Sequence, residues 1–119
     1  MNEITAAIEK AEGFLVLGMA EDAWETLEDL PTEAKNLSRV LEIRMECLCI
    51  LKEWLKVCFL GEGLVSALPK SAKIRLWFAC GLAQTGRIEE ARQHAKEAAR
   101  LDPDLRLRML DEPALAGLW

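Results

Sequence analysis

The stretch TGRIEEARQHAKEAARLDP, residues 85–103, sets the reading of the whole chain. It opens on a turn with a glycine, runs through an amphipathic segment and stops at Leu101-Asp102-Pro103. Glu89 and Glu90 stand at its start and Lys96 and Arg100 near its end, the order that complements a helix dipole. Pro103 disfavours helical backbone in the residue before it. The string at its turn, GRIEEAR at 86–92, has a counterpart in GMAEDAW at 18–24. Both read Gly-x-apolar-acid-acid-Ala, and their glycines lie 68 residues apart, twice 34.

A period of 34 then runs along the chain. Lys52 opens KEWLKVC one period after Gly18, and Pro69 stands one period before Pro103. Ala11, Met45 and Ala79 fall in step, as do Phe14, Leu48 and Leu82. So do Ala20, Trp54 and Ile88, then Ala23, Val57 and Ala91, then Leu30, Leu64 and Ala98. Apolar residues held in phase over three periods mark a repeat architecture, in which each unit buries its apolar face against the next. Each period predicts two helices, at about 3–17 and 20–30, 37–51 and 53–68, and 71–85 and 87–101. Gly18 and Gly86 supply the backbone freedom that the short turns need. Ser71 suits a helix N-cap. Pro31 cuts the first period's second helix short and leaves TEAKN as an irregular connector.

A 34-residue helix–turn–helix unit with this pattern resembles the tetratricopeptide repeat. In that family the eighth and twentieth places are small. The third unit, counted from Ala72, has Ala79 and Ala91 there, with Gly86 at the turn, Ala98 at the twenty-seventh place and the Leu-Asp-Pro ending. The first, counted from Ile4, has Ala11 and Ala23. The second, counted from Ser38, departs: it carries Met45, Lys52 and Val57, and in the third unit Arg75 takes an early place that is usually apolar. The resemblance implies an all-α fold, a right-handed superhelix of three stacked helical hairpins at about 4–36, 38–70 and 72–104 in a single domain spanning 1–119. The remaining DLRLRMLDEPALAGLW resembles the closing segments of some such proteins, making 105–119 a capping helix and tail. A last unit has an uncovered apolar face. Leu107, Met109, Leu110, Leu115, Leu118 and Trp119 supply a cover, for this chain or for a neighbouring copy.

Composition agrees with a soluble α-rich domain. Half of the 119 residues are apolar, 29% are charged, and there is no tyrosine. The net charge of −5 gives no bulk attraction to nucleic acid or anionic lipid. Its distribution is uneven: residues 1–33 carry nine acids and one base, whereas residues 34–119 carry 14 bases and 11 acids. An acidic end of this kind suits a solvated face, a basic partner, or the basic end of another copy. No charged-then-apolar leader opens the chain, and no apolar run nears the ~20 residues that span a bilayer. The expected compartment is the cytoplasm.

Site chemistry is sparse. Cys47 and Cys49 point roughly 200° apart around a helix, so they do not chelate together. With Cys58 and Cys80 they read as core thiols of a reducing compartment, Cys80 being the one candidate for reactivity. His94 reads as a half-exposed helix residue. No phosphate loop, metal cluster or paired nucleophile and base is present in the sequence, so neither a cofactor nor an enzymatic activity is expected.

Binding is therefore the expected function. The resemblance places a concave groove on the first helix of each hairpin, with Ile8 and Glu12, then Arg39, Glu42, Glu46 and Cys49, then Lys73, Leu76, Trp77 and Cys80. Ile8 and Glu12 stand where some members carry the Lys and Asn that clamp a peptide carboxylate, so no clamp is expected. Apolar floor residues and a line of glutamates suit a protein or peptide segment with apolar anchors and basic residues. Trp77 either anchors that segment or packs inside. The expected role is an adaptor or scaffold; the alternatives are a small secretion-type chaperone for an unfolded cargo and a self-associating assembly subunit.

Overall fold

The structure is a computed structural model and describes residues 2–119. Among these the chain is all-helical, with no strand. The order is α1 (Glu3–Val16), α2 (Ala20–Glu28), a 3-10 segment (Thr32–Asn36), α3 (Ser38–Ile50), α4 (Trp54–Ala67), α5 (Ala72–Gln84), α6 (Ile88–Leu101), α7 (Leu105–Asp111) and a final 3-10 segment (Pro113–Leu118). All six helices expected from the period end within two residues of their expected bounds.

Three inter-helix turns share one backbone conformation. Gly18, Lys52 and Gly86 hold φ of 74°, 58° and 87°. The next residues, Met19, Glu53 and Arg87, hold φ/ψ of −95°/67°, −85°/64° and −88°/66°. At the outer two turns the chain closes as the helix-ending motif requires. The Met19 N–H donates to the Phe14 carbonyl and the Arg87 N–H to the Leu82 carbonyl, both at 2.8 Å. Caps act as read: the Ser71 hydroxyl accepts from the Ile74 N–H at 3.2 Å, and Asn2 Oδ1 accepts from the Thr5 N–H at 2.7 Å.

The chain divides into two compact units, the first ending at Lys52 and the second running from Glu53 to Trp119. The boundary falls between the two helices of the second period. In the first unit α1 packs on α2, and α3 packs on both. Ala11 and Ala23 are fully buried where the first two helices approach, beside Ile8, Leu27, Leu30, Val40 and Ile43. TEAKN is not irregular. The Ala34 N–H donates to the Pro31 carbonyl at 3.0 Å and the Leu37 N–H to the Ala34 carbonyl at 3.1 Å, three-residue bonds that wind the segment into 3-10 turns. Burial of Ala34 in the core holds it there. Arg44 of α3 fastens this unit. Its guanidinium lies 4.5 Å from the Trp24 ring centroid and donates to Glu28 Oε1 at 2.8 Å. Trp24 is half-buried against the core rather than enclosed in it.

In the second unit α5 is the central helix. It packs on α4, α6 and the final 3-10 segment, and nine of its 13 residues are buried, which leaves it little free surface. Ala79 and Ala91 are fully buried where α5 and α6 pack together. Gly81 of α5 meets Val57 of α4, where an added Cβ would stand 2.6 Å from Cγ1. Trp54, at the start of α4, is half-buried. The tail covers its own chain: Gln84 Nε2 donates to the Ala114 carbonyl at 2.9 Å, and Arg92 Nε reaches the Leu118 carbonyl at 3.4 Å. Of the six apolar residues expected to cap, Met109, Leu115 and Leu118 are buried. Leu107, Leu110 and Trp119 instead stay exposed.

Candidate protein-binding surface

The positions assigned to a concave groove divide sharply in the structure. In the first unit Glu12 and Arg39 meet across α1 and α3, Arg39 Nη2 donating to Glu12 Oε1 at 2.6 Å. Glu42 and Glu46 on α3 are half-buried, while Ile8 and Cys49 are buried. In the second unit Lys73 is exposed, but Leu76, Trp77 and Cys80 are 0%, 3% and 0% exposed. Five positions expected to face a partner are thus interior, three of them on α5. The reason for those three is the central place of α5: helices flank it, the 3-10 tail lies against it, and the Arg108 guanidinium sits 4.8 Å from the Trp77 ring centroid. Trp77 is a core residue in this conformation.

The thiols and the histidine are also interior or engaged. All four cysteines are free and buried, Cys80 included. Burial, reinforced by Glu46, pushes the Cys47 thiol up to about 11, so the nucleophilic thiolate is disfavoured. His94 Nδ1 lies 3.2 Å from Arg75 Nη1, and the His94 ring rests 4.8 Å from that of Phe78. Arginine only donates, so Nδ1 is the acceptor. Burial, with the Arg75 charge, holds the imidazole below its ordinary 6.5.

Two other surfaces combine apolar floors with charged rims. One groove, of about 710 Å³, runs between α6, α7 and the tail. Ala95, Ala99, Met109, Leu110, Leu118 and Trp119 form its floor, and Arg92, Lys96, Arg100 and Arg106 its rim. The floor is available, because Leu110 and Trp119 are 59% and 60% exposed. Arg92 is paired with Glu89, and Arg100 with Glu97, Nε to Oε2 at 2.9 Å. That second pairing holds the Glu97 carboxyl below the usual range. Lys96 and Arg106 have no ion-pair partner among the described residues.

The second surface is a furrow along α1 and α2 in the first unit. Ile4, Ala7, Phe14 and Leu30 contribute apolar surface, Asp22, Glu25 and Asp29 stand along it, and one cation, Lys10, lies among them with its ammonium 5.9 Å from the Phe14 ring centroid. Among the described residues these three carboxylates form no ion pair, in contrast to Glu28, which Arg44 and Lys35 engage and hold below its ordinary value.

The sequence marks an acidic first end and a basic remainder without placing either surface, although a finer signal for each is present. Arg92, Lys96 and Arg100 recur at four-residue spacing, which lines them along one helix stripe. Asp22 and Glu25 of α2 and Asp29 at its C-cap recur at three- and four-residue spacing, which places them along one side as well. No protein-family model matches this chain, and neither a curated protein nor a solved structure gives a significant match to it.

Proposed function

We propose that the chain is a non-catalytic protein-interaction module of the tetratricopeptide-like kind, with its three hairpins stacked in a right-handed superhelix. Support for that arrangement comes from the shared turn backbone at residues 18, 52 and 86 and from the buried alanine pairs Ala11–Ala23 and Ala79–Ala91. Docking is assigned to the groove of α6, α7 and the tail. The observation that carries it is an open apolar floor ringed by four cations, two of them without an acidic partner. An amphipathic segment laying apolar residues into the groove, with carboxylates along its edges, answers both features. The partner is thus acidic, not the basic segment that the glutamate-lined face alone suggests.

The test is titration of the folded chain with a synthetic acidic amphipathic helical peptide carrying Leu and Phe anchors, followed by amide NMR shifts. Shifts confined to α6, α7 and the tail, with affinity weakened at least about tenfold by Lys96→Glu with Arg106→Glu, support the reading; about 1.4 kcal/mol is the equivalent loss. Shifts centred elsewhere, or none, reject it.

A further inference from the structure

We infer that the acidic segment docking in this groove is the first hairpin of a second copy of the chain, so that copies associate head to tail. The inference rests on the groove being a docking site and names its occupant. The occupant must present carboxylates at helical spacing beside apolar surface. The α1–α2 furrow does so, with Asp22 and Glu25 on α2, Asp29 at its C-cap, and Ile4, Ala7 and Phe14 next to them.

The dimensions agree. Residues 22 to 29 span about 10.5 Å along a helix and residues 92 to 100 about 12 Å, so the two rows are of similar length, Lys96 being the cation of the second row that no described carboxylate pairs. The charges are opposite and available on both sides: Asp22, Glu25 and Asp29 have no cation partner among the described residues, nor Lys96 and Arg106 an acidic one. The surrounding charge reinforces this, since residues 1–33 carry nine acids against one base. Each surface also carries apolar area that water leaves when they meet.

Such a contact is heterologous. It joins different faces of the two copies and leaves one of each free, so it propagates into chains or closes into rings. The rims are exposed, so the association weakens as salt screens them.

Sedimentation velocity of the full chain across a concentration series, at low and at high salt, tests the proposal. The expected result is a mass that rises with concentration at low salt and falls at high salt. Asp22→Lys with Asp29→Lys makes both surfaces basic, and Lys96→Glu with Arg106→Glu makes both acidic. Each variant alone is expected to be monomeric, and their equimolar mixture to associate again, because each then meets its opposite. All four positions are exposed, and circular dichroism checks that the helices are retained. A wild-type chain that stays monomeric at low salt overturns the inference. Variants that associate as the wild type does, through the exposed Leu55 and Phe59 of α4 for example, overturn it too, as does a mixture that fails to reassociate. Peptide binding without self-association removes the second copy as occupant and leaves the docking groove standing.

Discussion

Phe78 of α5 lies directly against Gly61 of α4. A β-carbon built on Gly61 would stand 2.8 Å from Phe78 Cγ, closer than side chains tolerate. Gly81 returns the arrangement from α5, its open side filled by Val57 and Cys58. Two helices of the second unit are thus locked by reciprocal notches, which ties the register of α4 against α5 to these two residues.

The contrast with Gly63 yields a paired prediction. Gly63 lies in the same helix with nothing within 4 Å of an added β-carbon. Gly63→Ala is expected to stabilise by about 0.5–1 kcal/mol through helix propensity alone. Gly61→Ala gains the same propensity but forces Phe78 aside, for a net loss of about 1–3 kcal/mol. Urea denaturation of the two variants checks the difference in sign.

Lys52 is the described non-glycine residue with positive φ, at 58°, where the equivalent positions carry Gly18 and Gly86. An L-residue there costs roughly 1–2 kcal/mol. Lys52→Gly is therefore expected to stabilise by about 1 kcal/mol, since relief of strain exceeds the added unfolded-state entropy. Gly86→Ala at the equivalent position is expected to destabilise by a similar amount. Equal effects of both substitutions on the denaturation midpoint would count against this account.

The helices were legible because a turn and a small-residue contact each leave a mark at fixed spacing. Gly18, Gly86, Ala79 and Ala91 show this directly. Lys52 shows the limit, since nothing in lysine announces a left-handed backbone; only its place in the period does. The binding surface was less legible. Trp77 and Cys80 occupy positions a neighbouring stretch can cover, and whether it does depends on where Ala114, Leu115 and Leu118 dock. Sequence spacing gives a helix its faces but not which distant segment lands on each. The same reason left the cations of α6 unassigned, because their stripe forms a rim only once α7 and the tail stand beside it.

His94 makes stability depend on pH. Burial first, and the Arg75 charge second, hold its folded pKa below 6.5, with Glu90 opposing. Between the folded and unfolded values the unfolded chain binds more protons, so stability rises with pH across that interval. The contribution is complete above 6.5 and is lost as pH falls through the folded pKa. Protonating Nδ1 also removes the lone pair that accepts from Arg75. His94→Gln should flatten the dependence of unfolding free energy on pH just below 6.5, with Glu90, which the His94 charge helps to lower, the carboxylate coupled to the change. A slope that survives the substitution would place its origin in another group.

Leu115 is fully buried although it belongs to the last segment of the chain. Truncating such a side chain costs about 2–5 kcal/mol, a large part of the stability of a small protein. Leu115→Ala is therefore expected to loosen the tail from α5 before the hairpins unfold. Trp77 reports on this, being 3% exposed under the Arg108 guanidinium. In a chain with Trp24, Trp54 and Trp119 changed to Phe, Trp77 emission should shift to the red and become open to acrylamide quenching on Leu115→Ala. Helix content in native buffer should stay near its starting value. If Trp77 stays blue and unquenched while the denaturation midpoint falls, the tail stabilises the unit without being the lid over this indole, and the burial of α5 comes from its flanking helices instead.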